Sequence, residues 1–225
     1  GTLLMTTLAY MSARRLKSRV KSATLFTTLT DFSDPGDIGV FIDEHTIKAI
    51  EHQNNQKGYF DGRVMAVSFS KLRENSLYWN YYIQNYLKGE SPMPFDLLYW
   101  NSDSTNITGA CHNEMLRKFY MENRLVIPGA YSVNDTKIDL SKIDVPLYFI
   151  STHQDHIAKW RVTYEGAKIC KKNATFVLGE SGHIAGIVNP PEKNKYSYWT
   201  NENIVDDADE WLAKSEHHSG SWWTH

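Results

Sequence analysis

Hydrophobic spacing divides the chain into three stretches. Apolar residues at Leu3, Leu4, Met5, Leu8, Ala9, Tyr10, Met11 and Leu16 predict a helix over Thr2–Leu16 with a broad buried face. SATLFTTL, Ser22–Leu29, is short and β-branched and predicts a buried strand, which the turn chemistry of DFSDPGD, Asp31–Asp37, brings to a stop. Helix, strand and abrupt turn make one α/β unit. From Gly36 to Lys137 the rhythm breaks. This stretch is polar and rich in aromatics, with helical patterns near Glu44–Gln53, Leu72–Leu87 and Ala110–Asn123 and no strand in series with a sheet. Alternation resumes at Ile143: a buried strand VPLYFI (Val145–Ile150), a helix (Lys159–Lys171), a second strand (Ala174–Leu178) and a last helix (Val205–Lys214). The expected organisation is a core in two parts, residues 1–35 and 138–225, with a mostly helical cap at 36–137. Long connections of this kind in compact domains are commonly functional lids.

Composition narrows the class without naming a chemistry. Of the 225 residues 41% are apolar and 22% charged, as in a soluble globular protein, and the net charge is -2. That balance lacks the clustered basic excess of a nucleic-acid footprint. The basic run Arg14, Arg15, Lys17, Arg19, Lys21 reads as the solvated end of the first helix. Two cysteines, Cys111 and Cys170, give neither a disulfide framework nor a zinc pattern, and fit reduced thiols in a cytoplasmic setting. No apolar run approaches the roughly 20 residues that span a bilayer, and no secretory leader pattern is visible. A start in mid-pattern at GTLLMTTLAYMSARRL predicts a piece of something longer.

The candidate chemistry sits in two loops. STHQDHIAKW, Ser151–Trp160, and LGESGHIAG, Leu178–Gly186, each follow a predicted strand, so Asp155 and His183 lie just past strand C-terminal ends, where open α/β sheets build their sites. An acid followed by a His is the back half of the nucleophile–acid–His order of α/β-hydrolase sheets. Asp155 would hold the imidazole in one tautomer and stabilise the imidazolium. Asp31 and Asp34, also after a strand, are alternative acids. Ser181-Gly182 makes a tight turn that lifts His183 above the sheet edge. His156, beside the acid, either supports the site or packs as a structural polar residue.

The nucleophile is harder to find. Cys111 has no strand–turn–helix elbow around it, and Cys170 ends a helix and reads as core packing. Gly179-Glu180-Ser181-Gly182-His183 departs from G-x-S-x-G at its fifth residue and lies at the last strand. Gly1 followed by an apolar-faced helix is the right half of a nucleophile elbow. The expectation is a nucleophile upstream of Gly1, with Gly1–Leu16 the helix after the elbow and its N-terminus directed at His183.

FDLLYWNSDSTN (Phe95–Asn106), YMENRLVIPGAY (Tyr120–Tyr131), QDHIAKW, and VLGESGHIAGIVNPPEKNKYSYWTNE (Val177–Glu202) together resemble class I polyhydroxyalkanoate synthases, and TTLTDFSDPGDIGVFIDE (Thr27–Glu44) resembles that family's lead into its cap. The resemblance covers nearly the whole chain. It implies the C-terminal portion of an α/β-hydrolase fold with a large, mostly helical cap between core strands, and a Cys–His–Asp triad that polymerises (R)-3-hydroxyacyl-CoA with release of CoA. Asp155 and His183 then match the family's acid and base, and His156 the His beside the acid. Trp100, Asp103 and, less directly, Tyr99 match the cap motif near the substrate path or dimer contact. The family's nucleophilic Cys stands in G-x-C-x-G-G, of which only the final Gly, Gly1, is present, so this piece alone is expected to be inert. Also implied are no cofactor or metal, the growing polyester and its granule surface as partners, a homodimer through the cap, and a cytoplasmic, granule-bound location. Two other readings stay open: an esterase or polyester depolymerase on the same fold, and a non-catalytic interaction domain.

Overall fold

The computed structural model describes residues 1–17, 19–72, 78–92 and 103–225. The chain forms two compact units, Gly1–Gly39 with Lys118–His225, and Val40–Arg117. Helix α1 (Thr2–Ala13) buries Met5, Leu8 and Ala9, an i, i+3, i+4 stripe. The face is narrower than the apolar count predicts, since Leu3 and Leu4 are exposed. The helix also stops short of Leu16, because Arg15 turns to φ 52° and Leu16 is left in solvent. Strand β1 (Ala23–Phe26) alternates: Ala23 and Leu25 point inward, while Thr24 and Phe26 are exposed, so it is buried on one face only. The turn after it uses its acids locally. Asp31 accepts from the Ser33 N–H and Asp34 from the Gly36 N–H.

The second unit begins with α2 (Glu44–Lys57), capped by Asp43, whose carboxylate accepts from the His45 and Thr46 N–H groups, and ended by Gly58 at φ 79°. Strand β2 (Tyr59–Phe60), helix α3 (Gly62–Leu72), strand β3 (Ile107–Thr108) and helix α4 (Gly109–Glu114) follow, β2 and β3 pairing antiparallel. A Cβ on Gly109 would lie 2.8 Å from the Asn54 carbonyl oxygen, so α4 can approach α2 only with glycine there. His112 stacks on Phe60 at 3.9 Å, its Nδ1 is 3.0 Å from the Asn54 amide nitrogen, and burial lowers its pKa. Arg117 binds Glu51 through two nitrogens and Glu44 through a third. Among the described residues, 36–137 contributes no strand to the main sheet; its strands form two separate two-stranded ladders. The expected cap at 36–137 is longer than this unit, for Lys118 onward groups with the first one.

Back in the first unit come the hairpin β4 (Ser132–Val133) and β5 (Thr136–Lys137), then β6 (Leu147–Thr152), helix α5 (Trp160–Ile169), β7 (Ala174–Gly179), β8 (Ser197–Thr200), helix α6 (Ala208–Ala213) and β9 (Glu216–Ser219). The five-stranded sheet runs β1-β6-β7-β8-β9. β1, β6 and β7 are parallel, with Ala23 opposite Leu147 and Leu147 opposite Ala174, so their C-terminal ends share one edge. β6 and the end of β7 are almost fully buried, as the continuous apolar runs require. Tyr164 of α5, Phe176 of β7 and Trp211 of α6 lock the layers, with ring centroids 5.0–5.6 Å apart. β8 and β9 extend the sheet antiparallel, two strands the hydrophobic pattern does not reveal.

Candidate active site

β6 ends at Thr152 and β7 at Gly179, neighbouring strands that stop at the same edge. The two loops that leave them are stitched together by backbone: the His153 N–H donates to the Gly179 carbonyl at 2.8 Å and the Gln154 N–H to the Ser181 carbonyl at 2.9 Å. On this base Asp155 and His183 meet. His183 Nδ1 lies 2.7 Å from Asp155 Oδ2. The Asp155 side chain is fully buried, and its other oxygen accepts from the Ile157 and Ala158 N–H groups at 2.8 and 2.9 Å. These donors hold the carboxylate as an acceptor. An ionised Asp155 accepts only, so the proton sits on Nδ1 and the ring's lone pair is on Nε2. The imidazole is 28% exposed, open enough to meet a reactant.

The His turn is tightly built. Ser181 takes φ 74°, then Gly186 N–H returns to the Gly182 carbonyl and Val188 N–H to the Ile184 carbonyl, a single helical turn. A Cβ on Gly186 would stand 2.3 Å from the Glu180 carbonyl oxygen and 2.5 Å from Thr152 Cγ2, so the turn lies directly on the strand ends. The acid loop is braced from the other side. A Cβ on Gly36, at φ 73°, would lie 2.7 Å from the carbonyl oxygens of both His156 and Ile157, and Lys159 Nζ binds the Asp34 carboxylate at 2.7 and 3.0 Å. That ammonium holds the Asp34 carboxyl below its ordinary range.

Both alternative acids are therefore engaged elsewhere, Asp34 by Lys159 and Asp31 by the Asn123 amide and the Ser33 N–H. His156 is half-buried beside the acid, and Asp103 is exposed in the second unit. Tyr99 and Trp100 lie outside the described residues. Cys170 is buried, its thiol donates to the Leu140 carbonyl, and burial pushes its pKa up to about 12, which suits a packing role. The spacing of apolar residues gives no sign of Trp222 and Trp223. Their indole N–H groups reach the carbonyls of Gly186 and Ile187 at the end of the His turn. These two rings, with Phe26, Ile187 and Val188, wall an apolar groove of about 550 Å³.

α1 enters the same edge. Thr2 Oγ1 donates to the Leu29 carbonyl at 2.6 Å, and the Thr27 N–H to Ile150 O at 2.8 Å, so the first turn of α1 lies at the exit of β1, beside the end of β6. A buried acid and a His paired to it through Nδ1 lie past the C-terminal ends of parallel strands, and a helix begins beside the exit of β1 at that edge. A family profile described as the alpha/beta hydrolase fold matches residues 1–190. The chain belongs to the α/β-hydrolase fold family. This α/β-hydrolase is also 44% identical over 225 residues to the poly(3-hydroxyalkanoate) polymerase subunit PhaC of Rhizobium meliloti (strain 1021), covering all of this chain and 36% of that protein. It is 43% identical over 228 residues to the subunit of the same name from Cupriavidus necator, covering 99% of this chain and 38% of the relative. Against the poly(3-hydroxyalkanoate) polymerase of Methylorubrum extorquens the identity is 43% over 224 residues, 99% of this chain and 37% of the relative. The chain thus spans little more than a third of the length of these relatives. Among the described residues, no group of three or more His, Cys, Asp or Glu side chains is placed to hold a metal ion, and no helix is long and apolar enough to cross a membrane.

Proposed function

We propose that this α/β-hydrolase chain is the acid–base part of an acyltransferase that polymerises (R)-3-hydroxyacyl groups from their CoA thioesters. The single observation that carries the reading is the 2.7 Å Asp155–His183 contact inside a chain that matches polymerases from end to end. The nucleophile of the whole protein is a cysteine contributed from outside these 225 residues, placed ahead of the N-terminus of α1, where the helix dipole favours a thiolate.

In this reading His183 Nε2 takes the thiol proton, and the sulfur attacks the thioester carbonyl. The C–S bond to CoA breaks, the CoA sulfur takes the proton back from Nε2, and an acyl-enzyme remains. The 3-hydroxyl of a further acyl unit then gives its proton to Nε2 and attacks the acyl-enzyme carbonyl, forming one ester bond and freeing the cysteine. Asp155 keeps Nδ1 protonated throughout and offsets the imidazolium charge. His156 supports the acid loop. Asp103, with Trp100 and Tyr99, belongs to the substrate path or to a dimer contact through the cap. The product is a polyester, so the whole protein works at a granule surface in the cytoplasm.

The test separates polymerisation from hydrolysis. Full-length protein incubated with (R)-3-hydroxybutyryl-CoA is expected to yield insoluble polyester and CoA in equal molar amounts of monomer and thiol. Quantitative release of free 3-hydroxybutyrate instead would make it a thioesterase or esterase on the same fold.

A further inference from the structure

The turn that carries His183 is one helical turn long, and the last carbonyls of such a turn have no partner within it. In this molecule two indoles fill that role. Trp222 Nε1 donates to both Gly186 O and Ile187 O at 3.1 Å, and Trp223 Nε1 donates to Ile187 O at 2.9 Å. Trp222 is half-buried, and Trp223, though exposed, is tethered at its backbone. Ser221, just before them, is buried; its hydroxyl donates to the Asn189 carbonyl and accepts from the Trp223 N–H. Trp222 packs against Phe26 of β1 at 6.0 Å and Tyr148 of β6 at 6.2 Å between ring centroids. With Ile187 it also covers the buried cluster of Ile150, Val177 and Tyr198.

The start of the turn is held by the acid loop through Gln154 N–H to Ser181 O. Its middle is pressed onto the strand ends at Gly186. Among the described residues of the C-terminal segment, the two indoles bond the last carbonyls of the turn, Gly186 O and Ile187 O, and the Ser221 hydroxyl bonds Asn189 O just beyond it. We propose that Trp222 and Trp223 are positioning residues for His183, a pair of ring N–H donors that fix the end of the His turn and thereby the imidazole against Asp155. The proposal rests on the reading of His183 as the base. Small misplacements of a catalytic group are costly, with about a hundredfold loss for an error near 1 Å.

The experiment uses the full-length protein with two kinds of replacement. One is the double variant Trp222→Phe/Trp223→Phe. The other puts 3-benzothienylalanine at both positions, which keeps ring shape and area and removes only the N–H donors. For each, kcat and KM for CoA release from (R)-3-hydroxybutyryl-CoA are measured, and the His183 Nδ1–H proton resonance, which reports the hydrogen bond to Asp155, is followed by NMR. The expected result is a fall in kcat of about tenfold to a hundredfold with KM within about twofold. The His183 Nδ1–H proton resonance moves upfield, because the hydrogen bond to Asp155 is lengthened and misaligned. Unchanged kcat and an unchanged His183 Nδ1–H resonance in the benzothienylalanine protein would overturn the proposal, whatever the phenylalanine variant does to folding. If the protein with both tryptophans intact releases no CoA, the acyl-transfer reading fails, and the NMR comparison alone still decides the clamp.

Discussion

The Asp155 carboxylate has two jobs that one substitution separates. One oxygen caps its own loop through Ile157 and Ala158, and the other faces His183. In Asp155→Asn the amide oxygen still accepts the two backbone donors, so the fold is expected to persist. The amide NH₂ then faces Nδ1, which forces the ring proton onto Nε2 and leaves nothing there to accept a proton. The expected loss is on the order of 10⁴-fold in kcat with KM little changed, read by steady-state CoA release from the full-length protein. A loss below tenfold would mean that Asp155 is a loop cap alone. Gly36 makes a second case at this scale. In Gly36→Ala the new methyl meets two backbone carbonyls, which cannot swing aside as a side-chain tip can, at a φ unfavourable to any Cβ. A cost of about 1–3 kcal/mol is expected from denaturant unfolding, and a cost near zero would show that the acid loop yields.

Elements differ in how openly their residues announce them. β6 and the end of β7 are readable because both faces are buried, so LYFI and FVL are unbroken apolar runs. The loops after them, and hence the Asp155–His183 pair, are readable for the same reason. β9 is Glu-His-His-Ser with no apolar residue, an edge strand held by its pairing with β8 rather than by burial. Its neighbour SYWT is short and follows the polar PPEKNKY segment, so neither strand has a pattern to show. α1 misleads in the other direction, since its apolar count exceeds what this unit buries. The indole donors on the His turn lie far along the chain from His183, and only the tertiary fold joins them. For α2 the local signal is sound. Asp43 caps it through two backbone N–H groups and the Thr46 hydroxyl, and Asp43→Ala is expected to cost about 0.5–2 kcal/mol in urea unfolding of the full-length protein. No measurable change would mean that tertiary contacts alone set the start of the helix.

For the molecule as a whole, burial ties stability to pH on the alkaline side. Burial pushes the Cys170 thiol and the Tyr148 and Tyr164 phenols each up to about 12, from ordinary values of 9.0, 10.0 and 10.0. The folded state therefore binds these protons more tightly than the unfolded chain does. Their contribution is complete below pH 9 and declines as pH rises toward 12. The unfolding midpoint of the full-length protein is expected to fall steadily between pH 9 and 11, and a flat midpoint over that range would show that these groups titrate freely in the fold. In the proposed reaction His183 Nε2 is the base of an acyl transfer whose nucleophile lies elsewhere in the same protein. Initial CoA release from (R)-3-hydroxybutyryl-CoA by full-length protein carrying His183→Gln tests it most directly. The expected rate is about 10²–10⁴-fold below that of the unaltered protein at pH 7, with the fold intact. A His183→Gln protein that releases CoA at the unaltered rate would contradict it.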